Sequence, residues 1–261
     1  MPAMNSPVHL PEWTLLSLRP RGQHAALRRA AAPLGAQLLG LSPWALVADR
    51  NPATRAALAR ALGADRVVFS SPAAVHAAAR LLPLDRSHAG VWLAVGAGTL
   101  AALRHHGAAD VQAPQRMDSE GLLDLPALAN LTGLRAALVT APGGRGIIAE
   151  TLQARGAQLE RVDVYRRRPL QLSPRQLQRL RQRPAPWVLA LSSAEALTLL
   201  LEQLPPDLLA RLQGQPVVAA SARLQALAGE AGFPRVSLAA GPLPAQLAQA
   251  AYAAITTAAA S

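Results

Sequence analysis

The stretch VVFSSPAAV (67–75) passes from a short apolar run to two serines, a proline and an alanine-rich segment. This order predicts a buried strand followed by a helix, because serine is favoured just before a helix and proline in its first turn. The stretch LALSSAEAL (189–197) repeats the order in the second half of the chain. Two such junctions indicate two copies of one strand-and-helix unit.

Short apolar runs alternate with Ala- and Leu-rich helical segments along the whole chain. RVVFS (66–70), VWLAVG (91–96) and WVLALSS (187–193) predict strands, and SEGLLDLPALANL (119–131) predicts one helix. Alternation of this kind is typical of parallel sheets covered by helices on both faces. We therefore predict an α/β fold with two similar, open, mostly parallel-sheet domains of the flavodoxin-like type.

Three landmarks recur in order and at nearly constant spacing. GAQLLGLSPW (35–44) recurs as GAQLERVDVY (156–165), the serine junction recurs as described, and Gly107 recurs as Gly232. Duplication of one domain explains the register. Open parallel sheets bind ligands at the carboxyl ends of their strands, and we expect two such edges to form a cleft for a small molecule.

The composition favours an anionic partner. The chain has 261 residues and a net charge of +11, and all 26 of its basic residues are arginine. Nine arginines and two acidic residues lie between Arg155 and Arg183. Arginine suits carboxylate and phosphate groups, so the partner could be a nucleic acid or a polycarboxylate, although this face could also simply be solvated. The 3% aromatic content and the lack of a recognition motif argue against nucleic acid.

Other features bound the location and the chemistry. The chain has no cysteine, which excludes disulfides and thiolate chemistry. Neither a secretory signal nor an apolar run of about 20 residues is evident, so we expect a cytoplasmic protein without a membrane partner. PGGRG (142–146) lacks the pattern of a P-loop or a dinucleotide fold, and adjacent His105 and His106 do not share a helix face. We therefore expect no cofactor and no metal.

Six strand-to-helix junctions could bind anions, because backbone N–H groups and the helix dipole favour negative charge there. Each hydroxyl could equally be an ordinary helix cap. The six occurring together favour an anion site. The junctions are Ser70–Ser71, Gly96 to Thr99, Ser119–Glu120, Gly143 to Gly146, Ser192–Ser193 and Ser221 to Arg223.

Tyr165 is one of two tyrosines and stands between an apolar strand and Arg166, Arg167 and Arg168. A phenol near positive charge can act as a weak acid. A tyrosine at a strand end can also be purely structural, with its hydroxyl in solvent.

The motifs taken in order resemble the uroporphyrinogen-III synthase family over nearly the whole chain. Ser17 stands where the family usually has threonine, and Leu224 where a small or hydroxylated residue is common, which weakens any role for that position. The motifs that carry the resemblance are SLRPRGQ (17–23), FSSPAAV (69–75), AVGAGTLAAL (94–103), SEGLL (119–123), APGGRG (141–146), RGAQLERVDVYRR (155–167), LSSAEAL (191–197) and ASARLQALAGEAG (220–232).

The resemblance implies cyclisation of hydroxymethylbilane, a linear tetrapyrrole with eight carboxylates, with loss of water and inversion of the D ring. It implies no cofactor, a monomer, and contact with the preceding enzyme of the pathway. Tyr165 would assist departure of the hydroxyl as water. The substrate-binding residues would be Arg19, Ser70, Ser71, Gly96, Thr99, Ser119, Gly144, Arg145, Ser192, Ser193, Ser221 and Arg223.

The resemblance also implies how the chain divides. Residues 1–40 with 169–261 would form one domain and residues 45–165 the other, so the domains exchange segments. AQLLGLSPWALV (36–47) and QLERVDVYRRR (158–168) would be the crossing strands of a two-stranded linker, with the crossings at 41–44 and 166–168.

Two alternatives remain open from the residues alone. One is a non-catalytic two-domain module that binds or senses an anionic small molecule. The other is nucleic-acid binding through Arg155 to Arg183, which would be strongly salt-dependent.

Overall fold

The structure is a computed structural model that describes residues 12–85, 90–143, 146–184 and 186–260. The strands in this part of the chain are β1 (Trp13–Ser17), β2 (Ala36–Gly40), β3 (Trp44–Ala48), β4 (Arg66–Phe69), β5 (Val91–Ala94), β6 (Val111–Gln112), β7 (Arg135–Thr140), β8 (Gln158–Asp163), β9 (Tyr165–Pro169), β10 (Trp187–Leu191), β11 (Val217–Ala219) and β12 (Val236–Leu238). The helices are α1 (Ala25–Ala31), α2 (Pro52–Leu62), α3 (Pro72–Ala79), α4 (Ala97–His105), α5 (Ser119–Leu123), α6 (Ile147–Ala154), α7 (Pro174–Gln182), α8 (Ala194–Leu201), α9 (Pro206–Gln213), α10 (Ala222–Glu230) and α11 (Pro244–Ala260).

The chain forms two compact units, each around one five-stranded sheet. The first unit holds the described residues up to Ala45 and from Pro169 onward, and the second is Leu46–Arg168. The sheet orders are β12-β11-β10-β1-β2 in the first unit and β6-β5-β4-β7-β8 in the second. All neighbouring strands in both sheets are parallel. The predicted α/β fold class is confirmed.

The two sheets have the same number of parallel strands but differ in how the chain passes through them. Counted along the chain, the first unit has the strand order 2-1-3-4-5, which is the flavodoxin order, and the second has 3-2-1-4-5. β10 and β4 occupy the central position in their sheets. The two serine junctions that suggested a duplication therefore follow equivalent central strands.

The apolar strands are buried on both faces, which explains why they are continuously hydrophobic. In β4, Val67 and Phe69 join one core while Val68 joins the core on the opposite face. In β5, Trp92 and Leu93 alternate in the same way. Phe69 and Trp92 pack with their ring centroids 5.3 Å apart. Helices therefore have to cover both faces of the sheet. Each helix returns the chain so that the next strand runs parallel to the one before it.

The glycine landmarks of the repeat end equivalent helices. Gly107 follows α4 with φ of 91°, and Gly232 follows α10 with φ of 87°. Both values lie in the left-handed region, which glycine adopts most readily. At Gly107 a Cβ atom would also lie 2.7 Å from the Cβ of Asp85.

Some predicted elements are divided in the structure. The segment 119–131 forms α5 and then a separate 3-10 turn at Pro126–Leu128, because proline interrupts helical hydrogen bonding. The strand predicted at 36–47 divides around Pro43 into β2 and β3, and the one at 158–168 divides at Val164 into β8 and β9. β2 and β8 belong to the five-stranded sheets, while β3 and β9 pair as a two-stranded ribbon.

A polar cluster in the first unit fixes the start of α1. The Nδ1 atom of His24 lies 2.9 Å from the hydroxyl oxygen of Ser17, and its Nε2 atom lies 2.8 Å from that of Ser42. Ser17 is fully buried. A Cβ atom on Gly40 would lie 2.6 Å from the His24 ring, so the ring occupies the space that a larger residue on β2 would need.

Two helical glycines give a paired prediction about packing. A Cβ atom on Gly121 would lie 2.0 Å from the backbone oxygen of Arg116, whereas one on Gly229 meets nothing within 4 Å. Gly121→Ala should lower the free energy of unfolding by about 1–3 kcal/mol through overpacking. Gly229→Ala should raise it by about 0.5–1 kcal/mol through helix propensity. Urea unfolding checks both, and a Gly121→Ala protein as stable as Gly229→Ala would contradict the described packing.

The environment of His24 predicts a loss of stability in mild acid. Burial, and then the positive charges of Arg28 and Arg19, hold the pKa of His24 below its ordinary value of 6.5. As the pH falls through about 6.5, His24 takes up a proton in the unfolded chain before it does so in the folded chain. The free energy of unfolding therefore falls as the pH decreases.

The measurement is urea unfolding at about pH 7.5 and about pH 5.5 for the parent and His24→Gln. Because the pKa values of His76 and His106 are also lowered, chiefly by burial, the variant should keep part of the pH dependence. An equal loss of stability in both proteins would show that His24 does not contribute.

Candidate functional site

A cavity of about 260 Å³ opens at the carboxyl ends of the strands of the second sheet. It brings together Ser70, Ser71, Ser119 and Tyr165 from the predicted set, with Gly143 and Gly146 of the glycine-rich loop. No aspartate or glutamate is among the described residues that line it. The other polar lining residues are Thr140, Arg161 and Arg167. Arg167 belongs to the basic run noted beside Tyr165, whereas Thr140 and Arg161 were not singled out from the sequence.

The adjacent serines at the end of β4 have different contacts. Ser71 is the N-cap of α3, and its hydroxyl oxygen accepts a hydrogen bond of 3.1 Å from the N–H of Ala74. Ser70 instead donates its hydroxyl to that of Thr140 at 2.7 Å. Thr140 ends β7, which neighbours β4 in the sheet. Among the described residues, the Ser71 and Thr140 hydroxyls accept these bonds without donating one, so each has a proton to donate to an anion.

The junctions after β5 and before α5 contribute differently from what the sequence predicts. Gly96 is the N-cap of α4, and Thr99 is buried inside that helix with 2% of its surface exposed. Neither of them lines the cavity. Asp118, rather than Ser119, caps α5 by accepting from the N–H of Gly121 at 2.7 Å. Ser119 stands one residue into the helix with its hydroxyl free of the capping role.

The glycine-rich loop borders the cavity on both sides of two residues, Gly144 and Arg145, that lie outside the described residues. Gly143 has φ of 91°, and Gly146, the N-cap of α6, has φ of 77°. Both conformations favour glycine. The first turn of α6, at Ile147 and Ile148, supplies apolar lining.

Tyr165 begins β9 and is half-buried, with its ring against the core of the second unit. Arg161, on β8, lines the same cavity. Its guanidinium donates to the backbone oxygen of Ala141 at 2.9 Å and to the carboxylate of Asp163 at 3.1 Å. The bond to Ala141 holds the guanidinium against the loop that follows β7, and Arg161 and Tyr165 both line the cavity.

The first unit presents the remaining predicted residues at the carboxyl ends of its own strands. Ser193 caps α8 through the N–H of Ala196, and Ser221 caps α10 through the N–H of Leu224, each at 3.4 Å. Ser192 and Arg223 are exposed beside these caps. Leu224, which departs from the family pattern, is buried with 4% exposed.

Arg19 has a property that the sequence does not reveal. It follows β1, and its Nε atom is buried without a hydrogen-bond partner in the described part of the chain. Burial lowers the pKa of Arg19 from its ordinary value. A buried guanidinium nitrogen with no acceptor has an unmet requirement that an anionic oxygen can satisfy.

Several residues could have been found from the sequence only with the register known. Thr140 ends an apolar run as Ser70 does, but the bond between them depends on β4 and β7 being neighbours. Arg161 lies within the noted basic segment without a signal that separates it from the other arginines there.

Within the described residues, no group of three histidine or acidic side chains is arranged to hold a metal ion. Of the helices described, none is both long enough and apolar enough to cross a membrane.

Relatives of known sequence support the resemblance. Over 77 residues the chain is 40% identical to uroporphyrinogen-III synthase of Salmonella typhimurium, covering 29% of this chain and 31% of that protein. Over 112 residues it is 37% identical to the Escherichia coli K12 enzyme of the same name, covering 41% and 46%. The matched segments thus span less than half the length of these relatives.

Solved structures agree in fold. A mutant uroporphyrinogen III synthase of the bacterium Thermus thermophilus matches 94% of this chain and 99% of its own, with 21% identity and a TM-score of 0.53. Uroporphyrinogen-III synthetase of Helicobacter pylori matches 91% and 97%, with 13% identity and a TM-score of 0.59. At these identities the likeness supports the two-domain fold alone.

The family assignment rests on a match over most of the chain. The family model described as "Uroporphyrinogen-III synthase HemD" matches residues 25–249. This range contains both serine junctions, the glycine-rich loop and Tyr165. The chain therefore belongs to the uroporphyrinogen-III synthase family.

Proposed function

We propose that this chain is a uroporphyrinogen-III synthase, which closes hydroxymethylbilane into uroporphyrinogen III with loss of water and inversion of the D ring. The observation that carries the proposal is the cavity of the second unit, which is lined by Tyr165, by the hydroxyl residues Ser70, Ser71 and Ser119, by the start of α6 and by Arg161. Family membership supports the same activity. The reaction class would be that of a carbon–oxygen lyase in tetrapyrrole synthesis.

The chemistry asks the protein mainly for positioning. As the family resemblance implies, the substrate cyclises spontaneously to the wrong isomer, so the enzyme has to select a conformation before the ring closes. Interactions that are made only in the selected conformation favour the correct product. A cavity lined by hydroxyls and backbone N–H groups suits this task, because such donors hold carboxylates in fixed places.

Tyr165 is the proposed acid. Loss of water breaks the bond between the hydroxymethyl carbon and its oxygen, and the departing oxygen needs a proton. A phenol can donate that proton, so that the hydroxyl departs as water. In this role, Tyr165 contacts the reacting atoms of the substrate directly.

The proposed binding groups differ between the units. In the second unit they are Ser70, Ser71 and Ser119, which line the cavity. Gly96 and Thr99 would act through the helix they begin rather than by contact, because Thr99 is buried. For the first unit and the glycine-rich loop, the proposed residues are Arg19, Ser192, Ser193, Ser221, Arg223, Gly144 and Arg145.

The alternatives have less support. Arg155 donates to the backbone oxygens of Leu123 and Leu128, and Arg181 to Asp207, so part of the basic segment serves the fold rather than a nucleic acid. A sensor without catalysis would not need the proton donor that Tyr165 supplies to the cavity lining. Location in the cytoplasm, a monomeric state and contact with the preceding pathway enzyme stay predictions.

A coupled assay tests the activity. Hydroxymethylbilane is generated in place, and the type I and type III isomers of the product are separated after oxidation. With the protein present, most of the hydroxymethylbilane should close to the type III isomer, because enzymatic closure has to be faster than the spontaneous reaction. Type I as the only product at every protein concentration would exclude the proposed function.

Tyr165→Phe tests the role of the phenol. Removal of the proton donor should slow turnover by about 10- to 100-fold, while the fold is kept because only the hydroxyl is lost. Tyr252→Phe is the matched control, since Tyr252 lies on α11 in the first unit and packs against its core. Equal turnover in the two variants would assign Tyr165 a structural role.

A further inference from the structure

A second and larger cavity lies within the first unit, beside the edge strand β2. Its volume is about 710 Å³, within the range of small-molecule sites. Four arginines line it: Arg21, Arg28, Arg179 and Arg183. We call it the arginine pocket. Arg28 comes from α1 and Arg179 from α7, so the charges reach the cavity from different elements.

The arginine pocket carries positive charge without a matching acid. No aspartate or glutamate is among the described residues that line it. Arg183 is linked to an acid indirectly: it donates to the side chain of Gln37, which donates in turn to Glu12. The side chains of Arg21, Arg28 and Arg179 make no hydrogen bond or ion pair with the described residues.

The charge pattern of α7 shows that its arginines have separate roles. Arg181 does not line the pocket and forms an ion pair of 2.9 Å with Asp207. Arg179, two residues earlier, lines the pocket. Asp207 is thus already paired with Arg181, and neither residue lines the pocket.

The walls of the arginine pocket are held in place. His24 lines it and is fixed between Ser17 and Ser42, with no room for a side chain at Gly40. On the other side, a capping box at Ser173 starts α7. The backbone oxygens of Arg181 and Arg183 accept hydrogen bonds from Arg211 at 2.9 Å and 2.6 Å, which hold the end of the helix. The arginine side chains therefore project from a fixed frame.

We propose that the arginine pocket is a second binding site, which takes a small polyanion whose carboxylate or phosphate groups lie close together. Guanidinium groups bind both kinds of group through paired hydrogen bonds. A ligand with one charge would leave most of the arginines unmatched, whereas several anionic groups would pair with them together. The ligand could be a separate small molecule or the carboxylate arms of the proposed substrate.

The binding experiment compares two charge-matched double variants. Arg28→Gln/Arg179→Gln removes two arginines of the pocket. Arg29→Gln/Arg175→Gln removes the same charge from the same two helices at residues outside it. Isothermal titration calorimetry with tripolyphosphate and with citrate, at low and at moderate salt, measures binding to each protein.

The pocket variant should bind at least one of the two probes about tenfold more weakly or worse, because two charge-assisted contacts are lost. The control pair should bind nearly as the parent does. Equal weakening in both pairs, or no binding of either probe to the parent, would overturn the proposal. Circular dichroism verifies that both variants are folded.

A kinetic arm separates the two sources of the ligand. If KM for hydroxymethylbilane rises in the pocket variant but not in the control, the pocket binds the carboxylate arms of the substrate. If KM is unchanged while probe binding is lost, the ligand is a separate polyanion. The calorimetric arm does not require turnover, so an inactive protein would refute the proposed function and leave this test intact.

Discussion

A parallel sheet buried on both faces is the constraint on which both units depend. Val67, Val68 and Phe69 can alternate between two cores only if helices cover each side of β4. Every crossover then returns the chain in the same direction, so all strands end at one edge and the next helices begin there. The hydroxyls and free N–H groups gather at that edge as a consequence of the fold. A site for anions is the natural use of such an edge.

Helix capping leaves much of this edge available to a ligand. Ser71, Ser193, Ser221 and Asp118 each accept one backbone N–H from the first turn of a helix. The hydroxyl of each serine still has a proton to donate, which the carboxylate of Asp118 lacks. The cap and the binding interpretations of the serines are therefore compatible rather than exclusive. A serine cap can support its helix and also donate to a carboxylate.

The sequence predicted what local patterns determine. The apolar runs located the central strands, and the repeated serines and glycines marked matching strand and helix ends in the two units because both obey the same backbone requirements. Contacts between segments that are distant in the sequence could not be predicted. The bond between Ser70 and Thr140 requires strand neighbours, and the cluster of Ser17, His24 and Ser42 requires the register of β1 with β2. The arginine pocket likewise joins residues that no spacing rule connects.

The two units differ in the residue that stands beside the serine junction after the central strand. In the second unit Val139 pairs with Phe69, so Thr140 comes opposite Ser70, and the two hydroxyls are bonded. In the first unit the pairing of β1 with β10 ends at Ser17 and Ala190, and Arg19 follows β1 as Ser192 follows β10. One copy thus offers a hydroxyl pair and the other a half-buried guanidinium whose Nε lacks a partner in the described chain. Hydroxyls orient an anion at little electrostatic cost, whereas a desolvated guanidinium attracts it strongly but needs it as a partner. The two units thus keep their helix caps but differ in the group beside them, and the proposed selection of one substrate conformation would use that difference.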